Sequence, residues 1–173
     1  MQKPGLTYQN AIGLVCNQPK SFIDDYAERT ATLLKLEPGG DISTLTTKLG
    51  GRIEYVSFFD ERAELNTIWV HGPKDFSIVL SELSSVRRDR FTIAHELGHY
   101  FLHSQMGMYP MKASRNGSDR AEWEANWFAA GLLMPQKPFR ALHGNSKSVS
   151  WLADHFGVSE QAAQIRCTTL KLT

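Results

Sequence analysis

Phe91-Thr92-Ile93-Ala94-His95-Glu96-Leu97-Gly98-His99-Tyr100-Phe101-Leu102-His103 is the stretch around which the 173-residue sequence can be organised. Its apolar positions recur at helical spacing and predict one helix from Ser85 to about His103. His95 and His99 are four residues apart, so on that helix they share a face, about one turn from each other. Two imidazoles placed this way can reach one tetrahedral ion at about 2.0–2.1 Å. Glu96 is rotated by about 100° from His95, where its carboxylate meets a water on the ion rather than the ion itself. An H-E-x-x-H arises by chance in a chain of this composition with a probability of roughly 1%. The apolar flanks speak against a solvated face, because a largely buried helix must find partners for its polar groups. The reading is a Zn2+ site with His95 and His99 as ligands and Glu96 as catalytic general base.

The third ligand must come from elsewhere. His103 lies about 12 Å along the helix axis from His95, too far to share an ion with it. The longer pattern H-E-x-x-H-x-x-G-x-x-H also fails, since Leu102 and Gln105 stand at its Gly and third His positions. A second helix, expected from Ser118 to Leu133 and stopped by Pro135, carries Glu122 and Glu124. These two are about 200° apart, so one faces inward. Glu122 shares its face with Ala125, Asn126, Ala129 and Leu133, small or apolar residues that allow close packing on the metal helix. Glu124 shares its face with Arg120, at a spacing that suits an exposed ion pair. Glu122 is therefore the expected third ligand, with Asn126 one turn on as a hydrogen-bond partner orienting a ligand histidine.

Outward from these helices the sequence gives an α+β layout. Helices are expected over 21–36 and, capped by Asp41, over Ile42–Leu49. Three β-rich runs, Ile53–Phe59, Thr67–Val70 and Phe76–Leu80, suggest a small antiparallel sheet of about three strands. Residues 104–117 read as a loop, and short helices are expected around 136–143, 148–156 and 159–170. The fold class is thus a mostly helical zincin-like core with a small sheet and a short helical tail. Its expected units are a core over 1–135 and a helix-turn-helix-like C-terminal subdomain over 136–173.

Composition narrows the functional classes. A formal net charge of +1 exerts no overall pull toward nucleic acid or anionic membrane. No apolar run approaches a membrane span, and the start of the chain lacks the pattern of a signal peptide. Two cysteines, Cys16 and Cys167, stand outside any C-x-x-C pattern and read as free thiols of a reducing, cytoplasmic setting.

The two motifs together, Phe91 to His103 and Glu122-Trp-Glu-Ala-Asn-Trp-Phe-Ala-Ala-Gly-Leu-Leu-Met-Pro135, resemble the ImmA/IrrE family of bacterial metallopeptidases. The likeness extends more weakly through Leu49-Gly50 and Ile53-Glu54-Tyr55 and into Leu152 to Glu160. It implies a gluzincin-like endopeptidase with His95, His99 and Glu122 as zinc ligands, Glu96 as general base and Asn126 as the residue following the glutamate by four. It also implies a protein substrate, a helix-turn-helix repressor whose cleavage releases transcription.

Other features receive plainer readings. The tail from Leu152 to Arg166 has the helix–Gly–helix look of a DNA reader, with Gln161 and Gln164 on the second helix. Residues 148–173 carry no net charge, which argues against DNA binding. Arg87, Arg88 and Arg90 read as a solvated basic face. Trp123 and Trp127 read as core anchors or cleft wall. Tyr100, His71 and Tyr109 are open candidates for stabilising an oxyanion, and the Phe76–Leu80 run is the expected edge strand along which a substrate extends. Two rival classes are a DNA-binding regulator that retains a metal site and a non-catalytic partner-binding protein of the toxin–antitoxin type. The intact Glu96 speaks against the second, since a pure binder needs no general base.

Overall fold

The structure, a computed structural model, describes residues 3–57, 59–60, 67–114, 119–145 and 148–172. Phe58, in the expected strand Ile53–Phe59, lies outside the described residues, as do 115–117 of the expected loop and the expected helix start Ser118.

The helices fall close to their expected places. α1 spans Lys20–Leu33 and buries Ile23, Ala27 and Ala31 on one stripe. α2 (Ile42–Lys48) is capped by Asp41, whose side chain accepts from the N–H groups of Ser43 and Thr44 at 2.9 and 3.1 Å. α3 (Val86–Gly98) is capped by Ser85 and continues into a π-helical turn, His99–His103. α4 (Arg120–Leu133) is capped by Asp119, which accepts from the Glu122 N–H. The tail holds α5 (Gln136–Gly144), α6 (Val149–Phe156) and α7 (Glu160–Thr169). α6 ends on Gly157 at φ 65°, a left-handed position that glycine occupies without steric cost.

The sheet is larger than expected, and it is mixed. β1 (Gln9–Asn10), β2 (Gly51–Val56), β3 (Thr67–Gly72), β4 (Asp75–Ser81) and β5 (Met111–Ser114) are ordered β1-β5-β3-β4-β2. β3 runs antiparallel to both β4 and β5, whereas β2 pairs with β4 and β1 with β5 in parallel. The additions to the expected three strands are β1, which is two residues long, and β5, which lies inside the segment read as a loop. β4 sits between β3 and β2, so Phe76–Leu80 is an interior strand, not the edge anticipated for substrate. Its five consecutive buried residues, Phe76 to Leu80, follow from having both faces covered.

One hydrophobic cluster joins sheet, α1, α3, α4 and the tail, with Ile23, Ile78, Leu97, Phe128, Phe139, Leu152 and Phe156 all fully or nearly fully buried. α4 lies at its centre. Against α1 it presents Gly131, where a Cβ would stand 2.9 Å from that of Ala27. Against α3 it presents Ala125, whose Cα would lie 3.0 Å from a Cβ placed on Gly98.

Two arginines are buried, and one of them, Arg90, belongs to the group read as a solvated face. Arg90 donates to the carbonyls of Gly40 and Phe156 and ties α3 to the α2 approach and to α6. Arg166 of α7 donates to Asp24 at 2.7 and 3.0 Å, to Glu28 at 3.3 Å and to the Met134 carbonyl at 2.9 Å. With Arg166 withdrawn, Lys171 is the one exposed Lys or Arg among the described residues 148–172. Cys16 and Cys167 are free thiols. Among the described residues no helix is long and apolar enough to cross a membrane.

Candidate metal centre

The close approach of Gly98 to Ala125 sets the site. With no side chain at Gly98, α4 lies directly against α3, and Glu122 and Asn126, near Ala125 on α4, reach His95 and His99. Asp119 fixes the first turn of α4, where a carboxylate is favoured by the helix dipole. His95, His99 and Glu122 are 0%, 1% and 6% exposed. Their ligand-type atoms form one group that could hold a metal ion.

The spacing and the placement of protons both fit a tetrahedral ion. His95 Nε2 and His99 Nε2 are 3.2 Å apart. Glu122 Oε2 lies 3.1 Å from the first and Oε1 lies 3.2 Å from the second. Bonds of about 2.0–2.1 Å put neighbouring ligand atoms about 3.3–3.4 Å apart on a tetrahedron; the two nitrogens are close to that spacing, and one carboxylate oxygen faces each of them.

The His95 hydrogen is directed away from the site, and His99 Nδ1 has a partner of its own behind the ring, His103 Nδ1. His95 Nδ1 lies 3.0 Å from Asn126 Oδ1, an acceptor, so Nδ1 carries the hydrogen and Nε2 presents a lone pair. Asn126 stands where the sequence placed it. Burial holds the His99 imidazole down to about 3, so it is neutral. Two bare nitrogens and a carboxylate converge with no cation of their own, an arrangement that costs free energy until a positive ion neutralises it.

Glu96 is 1% exposed, between the two histidines in sequence. His103, rightly set aside as a ligand on distance, turns out to touch the site indirectly: its Nδ1 lies 2.9 Å from His99 Nδ1. Glu124 was read as exposed. The Arg120 pair does form, at 2.8 Å, but Glu124 is 0% exposed and also binds His103 Nε2 and the Cys16 N–H, each at 3.0 Å. Burial raises its carboxyl, yet the hydrogen bonds from His103, Arg120 and Cys16 outweigh that effect and hold it near 2. The i,i+4 spacing of His99 and His103 was the signal for this contact, and the distance argument had addressed only direct ligation.

The remaining candidates separate. Tyr100 is buried, stacked on Phe76, and its hydroxyl accepts from the Lys74 N–H. The His71 ring is bonded to the Tyr8 hydroxyl at 2.6 Å. Tyr109 is exposed. Trp123, beside Glu122, is half exposed and not a core anchor, while Trp127 packs against the core beneath Arg120.

The sequence profile of the IrrE N-terminal-like domain, peptidase M78, matches residues 46–168, from the end of α2 to α7. The chain belongs to that family. Metallopeptidase ImmA of Bacillus subtilis (strain 168) is 37% identical over 79 residues, covering 45% of this chain and 47% of its own length. The chain thus spans about half the length of this curated relative. A Mycobacterium tuberculosis transcriptional regulator shares the fold of this family member, with a TM-score of 0.60 over 86% of this chain and 46% of its own, at 18% identity.

Proposed function

We propose that this chain is a zinc-dependent endopeptidase that cleaves a helix-turn-helix repressor and thereby relieves repression. The observation that carries the enzymatic part is the convergence of two imidazole nitrogens and a carboxylate, all buried, into one group that could hold a metal ion. Membership of a peptidase family and the likeness to a metallopeptidase support the same reading. The repressor rests on the resemblance to ImmA/IrrE proteins.

His95, His99 and Glu122 would hold the ion, with Asn126 keeping His95 in the tautomer that offers Nε2. A zinc ion supplies Lewis acidity there, polarising a carbonyl and lowering the pKa of water toward 7. Glu96 takes the proton from the attacking water and later delivers it to the departing amine, a role that contributes roughly 10²–10⁴-fold in rate. The burial of Arg166 weakens the DNA-reading alternative, since it removes one of the two basic side chains available to backbone phosphates.

The test is co-expression with the helix-turn-helix repressor encoded nearest to the chain, comparing wild type with Glu96→Gln. Wild type should cut the repressor and the variant should slow cutting by about 10²–10⁴-fold while retaining zinc. Equal survival of the repressor with both forms under inducing conditions would remove the proteolytic reading.

A further inference from the structure

We propose that His103 and Glu124 are positioning residues that fix the tautomer and orientation of His99 from behind, a role that rests on the metal centre proposed above. The chain of contacts is continuous and buried. His99 Nδ1 meets His103 Nδ1 at 2.9 Å, His103 Nε2 meets Glu124 Oε2 at 3.0 Å, and all three residues are 0–1% exposed.

With His103 as a neutral ring, one placement of hydrogens satisfies this chain. Glu124 receives three nitrogen donors: His103 Nε2, Arg120 Nε at 2.8 Å and the Cys16 N–H at 3.0 Å. An ionised carboxylate accepts only, so His103 carries its hydrogen on Nε2 and leaves Nδ1 bare. His99 must then donate from Nδ1, and its remaining lone pair on Nε2 is aimed at Glu122 and His95. Each step determines the next, so the acceptor at Glu124 decides which nitrogen His99 offers to the ion.

The π-helical turn supplies the geometry. His99 opens it and His103 closes it, with the Ser104 N–H bonding to the His99 carbonyl at 3.0 Å. Glu124 comes from α4, two residues beyond Glu122, on the side of that helix away from the proposed ion. Its outer end is closed by the N-terminal segment, where Arg120 also donates to the Gln18 carbonyl. Backbone from residues 16–18 therefore completes the surroundings of a ligand on α3. Such partners of metal-bound histidines are worth about 10- to 100-fold in metal affinity.

Two measurements on the full chain test this. The first is zinc affinity by competition with a chromophoric chelator at fixed pH, with the metal-free fold followed by circular dichroism. His103→Leu should bind zinc about 10- to 100-fold more weakly than wild type. His103→Asn, whose amide oxygen can accept from His99 Nδ1–H, should recover most of that loss. The second uses 15N-histidine labelling of wild type, which reports each ring's tautomer directly. His103 should be protonated at Nε2 alone, and His99 and His95 at Nδ1 alone. Unchanged affinity in a folded His103→Leu protein, equal losses in the Leu and Asn variants, or a hydrogen on His103 Nδ1 would each overturn the relay. Should the leucine variant fail to fold, the wild-type tautomers still decide. A wild type that binds no zinc would instead remove the metal centre, and the role of the relay with it.

Discussion

α4 has a buried polar cluster at each end, and the two are neutralised in opposite ways. Near its C-terminus Arg166 sits among Asp24, Glu28 and the Met134 carbonyl, with a cation already inside the group. Near its N-terminus His95, His99 and Glu122 converge, and on the tautomers proposed above both imidazole hydrogens point outward. Burial is nearly complete in both, so exposure does not distinguish structure from function here. The difference lies in charge balance. A cluster that contains its own counter-charge holds elements together, whereas one that lacks it is built to receive an ion.

The comparison can be broken most forcefully at the first cluster. Arg166→Ala leaves Glu28 without its cation and Asp24 with only the Lys20 ammonium at 2.9 Å, and should destabilise the fold by about 3 kcal/mol, read by denaturant unfolding, while a surviving folded fraction still binds zinc. Stripping zinc with a chelator attacks the second cluster. Relative to protein with free zinc at 100 times its dissociation constant, stability should fall by about 2.7 kcal/mol, seen as a lower melting temperature that returns when zinc is added. If chelation leaves the melt untouched, the second cluster is no more an ion site than the first. Gly98→Ala should have a smaller effect. Its Cβ presses on Ala125 at 3.0 Å, so overpacking of about 1–3 kcal/mol is offset by about 1 kcal/mol of helix propensity, and zinc affinity should drop as Glu122 is pushed back. Least of all, Arg87→Ala removes an exposed ion pair with Asp154 and should change stability by about 1 kcal/mol or less, without altering zinc binding.

How much of this was legible in the sequence depends on whether the information was local. Helix positions, the Asp41 cap, the Gly157 turn and the choice of Glu122 follow from 3.6-residue periodicity, which a single helix imposes on its own residues. Strand order does not. β4 is interior because β2 and β3 flank it, and nothing within Phe76–Leu80 distinguishes a strand paired on both sides from an apolar edge. β1 and β5 were missed since two residues, or four beside Gly107 and Pro110, are too few to display alternation.

Glu124 shows the same limit at one residue. The helical phase correctly turned it away from Glu122, yet the opposite side of α4 is not solvent. The N-terminal segment and the π-helical turn cover it, and both are distant in sequence. Arg90 read as a surface charge for a related reason: its partners are backbone carbonyls supplied by other elements.

The Asp24–Arg166 pair also bears on how the chain is made. Its members are 142 positions apart, so everything from α1 to α7 must be synthesised before the bond can close. Until α7 emerges, docking α1 on α4 would bury Asp24 with no guanidinium to meet it, and Gly131 packs directly against that carboxylate. A nascent chain halted before residue 166 therefore has little reason to settle into its final packing. The metal helices are complete by residue 133, but their lasting assembly waits on an arginine added more than thirty residues later. Closing so long a loop makes folding a late and cooperative event, postponed until α7 is available to dock.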